Sequence, residues 1–140
     1  MKVTFSFYKV SAVLPKQIKL KKFLIELFNI ENKDADSVTF IFCSDEYLLG
    51  LNQKFLKHDT FTDILTFVLS TDDLPIIGEI YISIERVTEN ARSYNVEFVK
   101  ELHRVIFHGA LHLCGYNDKT TNQKKFMRSM EEQYLKLYFT

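Results

Sequence analysis

The chain has 140 residues, 46% of them hydrophobic and 26% charged, a balance that excludes a disordered or low-complexity protein. With 4 glycines and 2 prolines it lacks the turns of a sheet-only fold, and no apolar run approaches the ~20 residues of a membrane span. Lys+Arg and Asp+Glu stand at 18 each, so the chain as a whole presents no net field to a polyanion.

The zero is an average. Residues 1–33 hold seven lysines against two acids, residues 34–99 four basic residues against twelve acids, and residues 100–140 seven basic residues against four acids. Such segregation leaves two readings open: a basic surface that steers a nucleic acid, or Lys-rich helix faces that are simply solvated.

In chain order, Val3, Phe5 and Phe7 alternate with Thr4, Ser6 and Tyr8, the pattern of a half-buried strand rather than of a leader peptide. Pro15 suits a first helical turn, and Lys16 to Phe28 has helical spacing: Leu20, Leu24, Leu27 and Phe28 share one side. Val38 to Cys43 is an apolar strand, and Ser44 or Asp45 can cap a helix running to about Leu56. Ile64 to Leu69 and Gly78 to Ser83 read as two further strands. Ser83 can cap a helix to about Tyr94, and Asn95 a longer one from Val96 to Leu113. Gly115 stops that helix, and a last amphipathic helix covers about Thr121 to Tyr138. The order β-α-β-α-β-β-α-α-α predicts a single α+β domain over residues 1–140, with a mixed sheet of about four strands covered by helices. Cys43 and Cys114 sit in apolar stretches, which points to two buried free thiols and a reducing, cytoplasmic compartment.

One stretch carries chemistry: His108-Gly109-Ala110-Leu111-His112-Leu113-Cys114-Gly115-Tyr116-Asn117-Asp118. Histidines at i and i+4 stand one helical turn apart on one side, within reach of one metal ion. Gly115 can take the left-handed conformation that turns the chain back, and Asp118 can then swing round as a third ligand. Two nitrogens and one oxygen leave a position open, as in catalytic rather than structural zinc sites. Two histidines at this spacing also arise by chance. At about 100° per residue, however, they fall opposite the apolar stripe of Val99, Leu102, Ile106, Ala110 and Leu113, so they are not packed on the main core face. Cys114 points away from His112 and reads as core, and His103 falls nearer the stripe and reads as packing. Zinc peptidases carry a glutamate directly after the first histidine; Gly109 stands here, which argues against peptidase chemistry by that route.

These residues resemble the YbeY family of bacterial metal-dependent endoribonucleases and ribosomal RNA maturation factors. Leu51-Asn52-Gln53-Lys54-Phe55, then Thr62-Asp63-Ile64-Leu65-Thr66-Phe67, resembles the family's Leu-Asn-x-x-aromatic and Thr-Asp-Val-Leu-Ser-Phe block. Gly78-Glu79-Ile80 resembles its Gly-Asp-Ile strand, and Glu89-Asn90-Ala91 and Glu101-Leu102-x-Arg104 also fit. The resemblance implies an α+β fold, cleavage of single-stranded RNA, maturation of the 3′ end of small-subunit ribosomal RNA, and a role in ribosome assembly with ribosomal or assembly proteins as partners. It implies His108 and His112 as ligands of zinc, with Asp118 where the family usually has a third histidine. A carboxylate there favours manganese or another harder divalent ion more than a histidine would. The family's arginine after the aromatic of the Leu-Asn block is Leu56 here, and Lys57 or His58 is the adjacent candidate to replace it. Glu79, on the polar side of its strand, is a candidate base or a structural partner. Thr62 and Asp63 read as fixing the turn into their strand, and His58 as a loop residue. Lys16, Lys19, Lys21 and Lys22, with Lys124, Lys125 and Arg128, are RNA-backbone contacts or solvated faces. Three functions compete: an endoribonuclease, a ribosome-assembly binding module with a structural metal, and a metallohydrolase of another ester or amide. The oligomeric state is left open.

Overall fold

The computed structural model describes residues 1–58 and 60–140. Its elements follow the expected order: β1 (Lys2–Phe7), α1 (Gln17–Ile30), β2 (Ala35–Cys43), α2 (Asp45–Leu56), β3 (Ile64–Val68), β4 (Ile76–Ser83), α3 (Ile84–Tyr94), α4 (Phe98–Leu113) and α5 (Thr121–Tyr138). The four strands form one mixed sheet in the order β1-β2-β4-β3. β1, β2 and β4 run parallel, and β3 pairs antiparallel with β4 at the edge. This is an α+β fold.

Register decides which side chains meet. Phe40 lies opposite both Phe5 and Ile80, and Phe42 opposite Phe7 and Ile82, so one face carries an apolar band. α1, α4 and α5 bury their apolar residues with this band in the main core. The other face is covered by α2, where Leu48 packs with Cys43, Leu65 and Tyr81. α4 is buried on most of its circumference, with Leu102, Ile106, Ala110 and Leu111 fully enclosed. It reaches the sheet closely because two positions carry no side chain. A Cβ on Gly109 would lie 2.8 Å from Ile64 Cδ1 and 2.9 Å from Ile80 Cγ2, and one on Gly78 would lie 2.7 Å from Leu113 Cδ1. The edge strand β3 is thereby held beside the helix that carries the two histidines.

Two helix boundaries differ from the sequence expectation, and a third is decided between its two candidates. Pro15 precedes α1 rather than entering its first turn, because Lys16 adopts a left-handed conformation (φ 53°) between them. Ser44, not Asp45, caps α2 by accepting from the Tyr47 N–H. Asn95 does not cap α4. It is the left-handed residue (φ 55°) that ends α3, a role its short polar side chain tolerates, and α4 begins after Glu97. Ser83 caps α3, and Thr120 caps α5 through a reciprocal capping box with Gln123. Among the described residues, no helix is long and apolar enough to cross a membrane.

Candidate metal centre

The site grows from the end of α4. Gly115, at φ 103°, lets the Tyr116 N–H return to the Leu111 carbonyl while its own N–H bonds that of His112, a Schellman closure. The reversal delivers the Tyr116 carbonyl to His112, whose Nδ1 donates to it at 2.8 Å. The turn is pinned further off: the hydroxyls of Tyr116 and Tyr134 both donate to the carboxylate of Glu31 at the end of α1. From this turn Asp118 projects back, with Oδ2 at 3.2 Å from His108 Nε2 and 3.3 Å from His112 Nε2.

The two Nε2 atoms are 2.9 Å apart. His112 Nδ1 faces a carbonyl, which can only accept, so that nitrogen carries a proton. His108 Nδ1 donates to Glu131 Oε2 at 2.5 Å, and Glu131 is held by Arg104 as well. With the proton of its neutral form on Nδ1, each imidazole can present a lone pair at Nε2. Two lone pairs and a carboxylate oxygen thus converge with no donor between them, an arrangement that a cation satisfies. Ligand bonds of about 2.0–2.1 Å at tetrahedral angles put donor atoms about 3.3 Å apart, close to the three separations here. His108, His112 and Asp118 are therefore a donor set that fits a small divalent ion.

Behind the histidines lies a buried ionic cluster. Arg104 bonds Glu101 at 2.9 and 2.5 Å and Glu131 at 2.9 Å. Burial alone would raise the Glu131 pKa, but the hydrogen bond from His108 and the Arg104 charge outweigh it and hold the carboxyl below its usual range. Asp63, just before β3, accepts from Asn90 Nδ2 at 3.1 Å and lies 4.0 Å from Arg104. Burial raises its pKa, only partly opposed by Arg104 and His108. Asp63, Arg104 and the three donors share one cleft of about 490 Å³, walled by β3 on the other side. Asn52, buried in α2, donates to the Thr60 carbonyl and so fixes the segment leading into Thr62 and Asp63.

A family model described as "Endoribonuclease YbeY" matches residues 9–138. The chain belongs to the YbeY family. Relatives named Endoribonuclease YbeY include one from Flavobacterium psychrophilum, 52% identical over 108 residues, which are 77% of this chain and 76% of the relative. Another, from Christiangramia forsetii, is 44% identical over 126 residues, 90% of this chain and 87% of the relative. A solution structure of a Thermotoga maritima protein aligns with TM-score 0.63 and 33% identity, covering 99% of this chain and 89% of that one.

The other candidates fall elsewhere. Glu79 does not line the cleft. Strand alternation turns Gly78, Ile80 and Ile82 toward α4, so Glu79 faces the α2 side, where it accepts from Tyr81 Oη at 3.2 Å. Lys57 is the left-handed residue (φ 55°) that ends α2; its neighbour Leu56 lines the cleft instead. His58 is exposed, and its N–H closes on the Asn52 carbonyl. His103 is fully buried and stacks on Tyr138, as packing requires. Cys43 and Cys114 are buried free thiols, both pushed up to about 12 by burial. Glu131 and the cleft role of Asp63 were not legible from spacing. Glu131 lies 23 residues from the histidine it orients.

Proposed function

We propose that this protein is a metal-dependent endoribonuclease that cuts single-stranded RNA. One observation carries the reading: three acceptor atoms, on His108, His112 and Asp118, converge in an open cleft with both imidazoles oriented from behind. The family membership supplies the substrate class. A divalent ion (zinc, or manganese given the carboxylate) would be held by these three residues and would supply Lewis acidity and water activation near neutral pH. Asp63 is the cleft carboxylate with a raised pKa, and we assign it, in place of Glu79, the exchange of a proton with attacking or leaving oxygen. Residues 1–140 act as one domain in this reading. The cellular role proposed is 3′-end maturation of small-subunit ribosomal RNA during ribosome assembly in the cytoplasm, with ribosomal or assembly proteins as partners. The family resemblance supports that role.

The test is cleavage of a single-stranded oligoribonucleotide by protein loaded with zinc or manganese. His108→Ala and His112→Ala variants that stay folded should lose it, and metal-free protein should not cut. Cleavage by metal-free protein refutes the proposal. RNA binding that survives in the variants, with no cleavage by the parent, favours the assembly-module reading, for which Leu56 in place of the family arginine speaks.

A further inference from the structure

A second cleft, of about 300 Å³, opens on His108 and Asp118 from the α3 and α5 side. It shares Arg104, His108 and Asp118 with the first, so two of the three donor residues lie where the two clefts meet. Its outer wall is aromatic and basic. Tyr94, the last residue of α3, is 54% exposed. The Arg128 guanidinium lies over its ring, 5.6 Å from the centroid. Lys124 and Arg128 are four residues apart on α5, hence on one face, with the buried Met127 between them. Arg128 stands 3.8 Å from both Glu131 and Glu132, too far for a hydrogen bond, and Glu131 is already committed to Arg104 and His108. Among the described residues, the guanidinium donors of Arg128 are thus open to another acceptor. By contrast, Arg104 in the same cleft is neutralised by its buried carboxylates.

We propose that this cleft binds the nucleotide adjoining the scissile phosphate, with Tyr94 stacking its base and Lys124 and Arg128 holding its phosphate. The proposal rests on the endoribonuclease reading and deepens it. A strand whose phosphate sits at the triad must leave along one groove on each side. An exposed aromatic ring next to cations whose hydrogen-bond donors are open is what unpaired nucleotides recognise, because every base has a face to stack and every link a charge. Such a subsite selects single strands, since a paired base cannot reach the ring.

The experiment is steady-state cleavage of a single-stranded oligoribonucleotide by metal-loaded protein at several salt concentrations. Tyr94→Ala should raise KM about tenfold with kcat within about twofold, and Tyr94→Phe should restore it, as expected for stacking. The double variant Lys124→Ala/Arg128→Ala should raise KM and flatten the slope of log kcat/KM against log salt by about 0.7, the value for one phosphate contact on a single strand. Lys136→Ala, further along α5, should match the parent. If the parent cleaves and the Tyr94 and double variants keep its KM and salt slope, the subsite is overturned while the enzyme reading stands. If the parent cuts no RNA with any divalent ion, the enzyme reading falls and takes the subsite with it.

Discussion

Glu131→Gln isolates how the site is held. Glu131 is buried, and its two oxygens divide their work: Oε2 accepts from His108 Nδ1, and Oε1 accepts from Arg104. Glutamine has the same shape but one acceptor. Whichever way the amide turns, its NH2 meets either the guanidinium or the imidazole N–H. Arg104 cannot give up its protons, so the oxygen goes to it and the NH2 faces His108. His108 then relieves the clash by moving its proton to Nε2, the atom that faces Asp118 and His112, and so loses its lone pair toward the ion. Loss of such an outer partner typically costs 10–100-fold in metal affinity, about 1.4–2.7 kcal/mol. Stability should fall too. Breaking a buried pair outright costs about 3–5 kcal/mol, but Arg104 keeps both contacts to Glu101, so a loss of about 1–3 kcal/mol is expected. Calorimetric titration of metal-free protein with zinc in competing chelator measures the first effect, and urea unfolding the second. The titration is run where the variant is fully folded. Equal zinc affinity in parent and variant would refute the claim that Glu131 fixes the His108 tautomer.

The remaining expectations concern packing and titration. His103 is fully buried, its Nδ1 faces the Val99 carbonyl and its Nε2 has no partner among the described residues, so burial depresses its pKa below 6.5. The unfolded chain binds a proton that the folded one refuses, so this contribution is complete above pH ~6.5 and is lost as pH falls from there through the folded value. In metal-free His103→Phe, urea midpoints at pH ~7.5 and ~5.5 should differ less than in the parent; an equal difference counts against it. Both thiols, pushed up to about 12, should resist a chromogenic disulfide reagent in native protein at neutral pH and react once it is unfolded. Rapid native labelling of either would contradict the burial argument. Gly109→Ala should gain about 1 kcal/mol of helix propensity and lose about 1–3 to the contacts with Ile64 and Ile80. Adding Ile64→Val, which deletes the nearest methyl, should recover part of any loss in unfolding midpoint. No recovery would mean that the contact with Ile64 does not set the cost.

What the sequence displays is periodicity, and what it conceals is pairing at a distance. The alternation in β1, the stripe on α4 and the spacing from His108 through Gly115 to Asp118 are local, so they can be read before any fold is known. Glu79 shows the limit. Its strand alternates plainly, but only the contact of Gly78 with Leu113 reveals that the glycine face meets α4 and the glutamate face meets α2. Asn95 shows another: an asparagine serves equally as a helix cap or as a left-handed terminator, and here the preceding helix claims it. Asn90, Arg104 and Glu131 come from three separate helices, and Asp63 from the connection into β3. Nothing in the spacing of such residues announces that they will share a cluster.

The charge balance gains meaning from these positions. Two neutral imidazoles and one carboxylate carry −1, so a divalent ion held there keeps only +1, against +2 for three histidines. The cluster behind it adds no positive charge, since Arg104 is matched against Glu101 and Glu131. A phosphate approaching this centre is therefore drawn less by the centre itself than by side chains at the rims of its two clefts: Lys119 on one, and Lys124 and Arg128 on the other. These are few, exposed and screened by salt. A chain of zero net charge adds no long-range field to help them. The consequence is RNA recognition through a few local contacts, with a shallow dependence on ionic strength and with selection made by what fits beside the triad rather than by the pull of the protein as a whole.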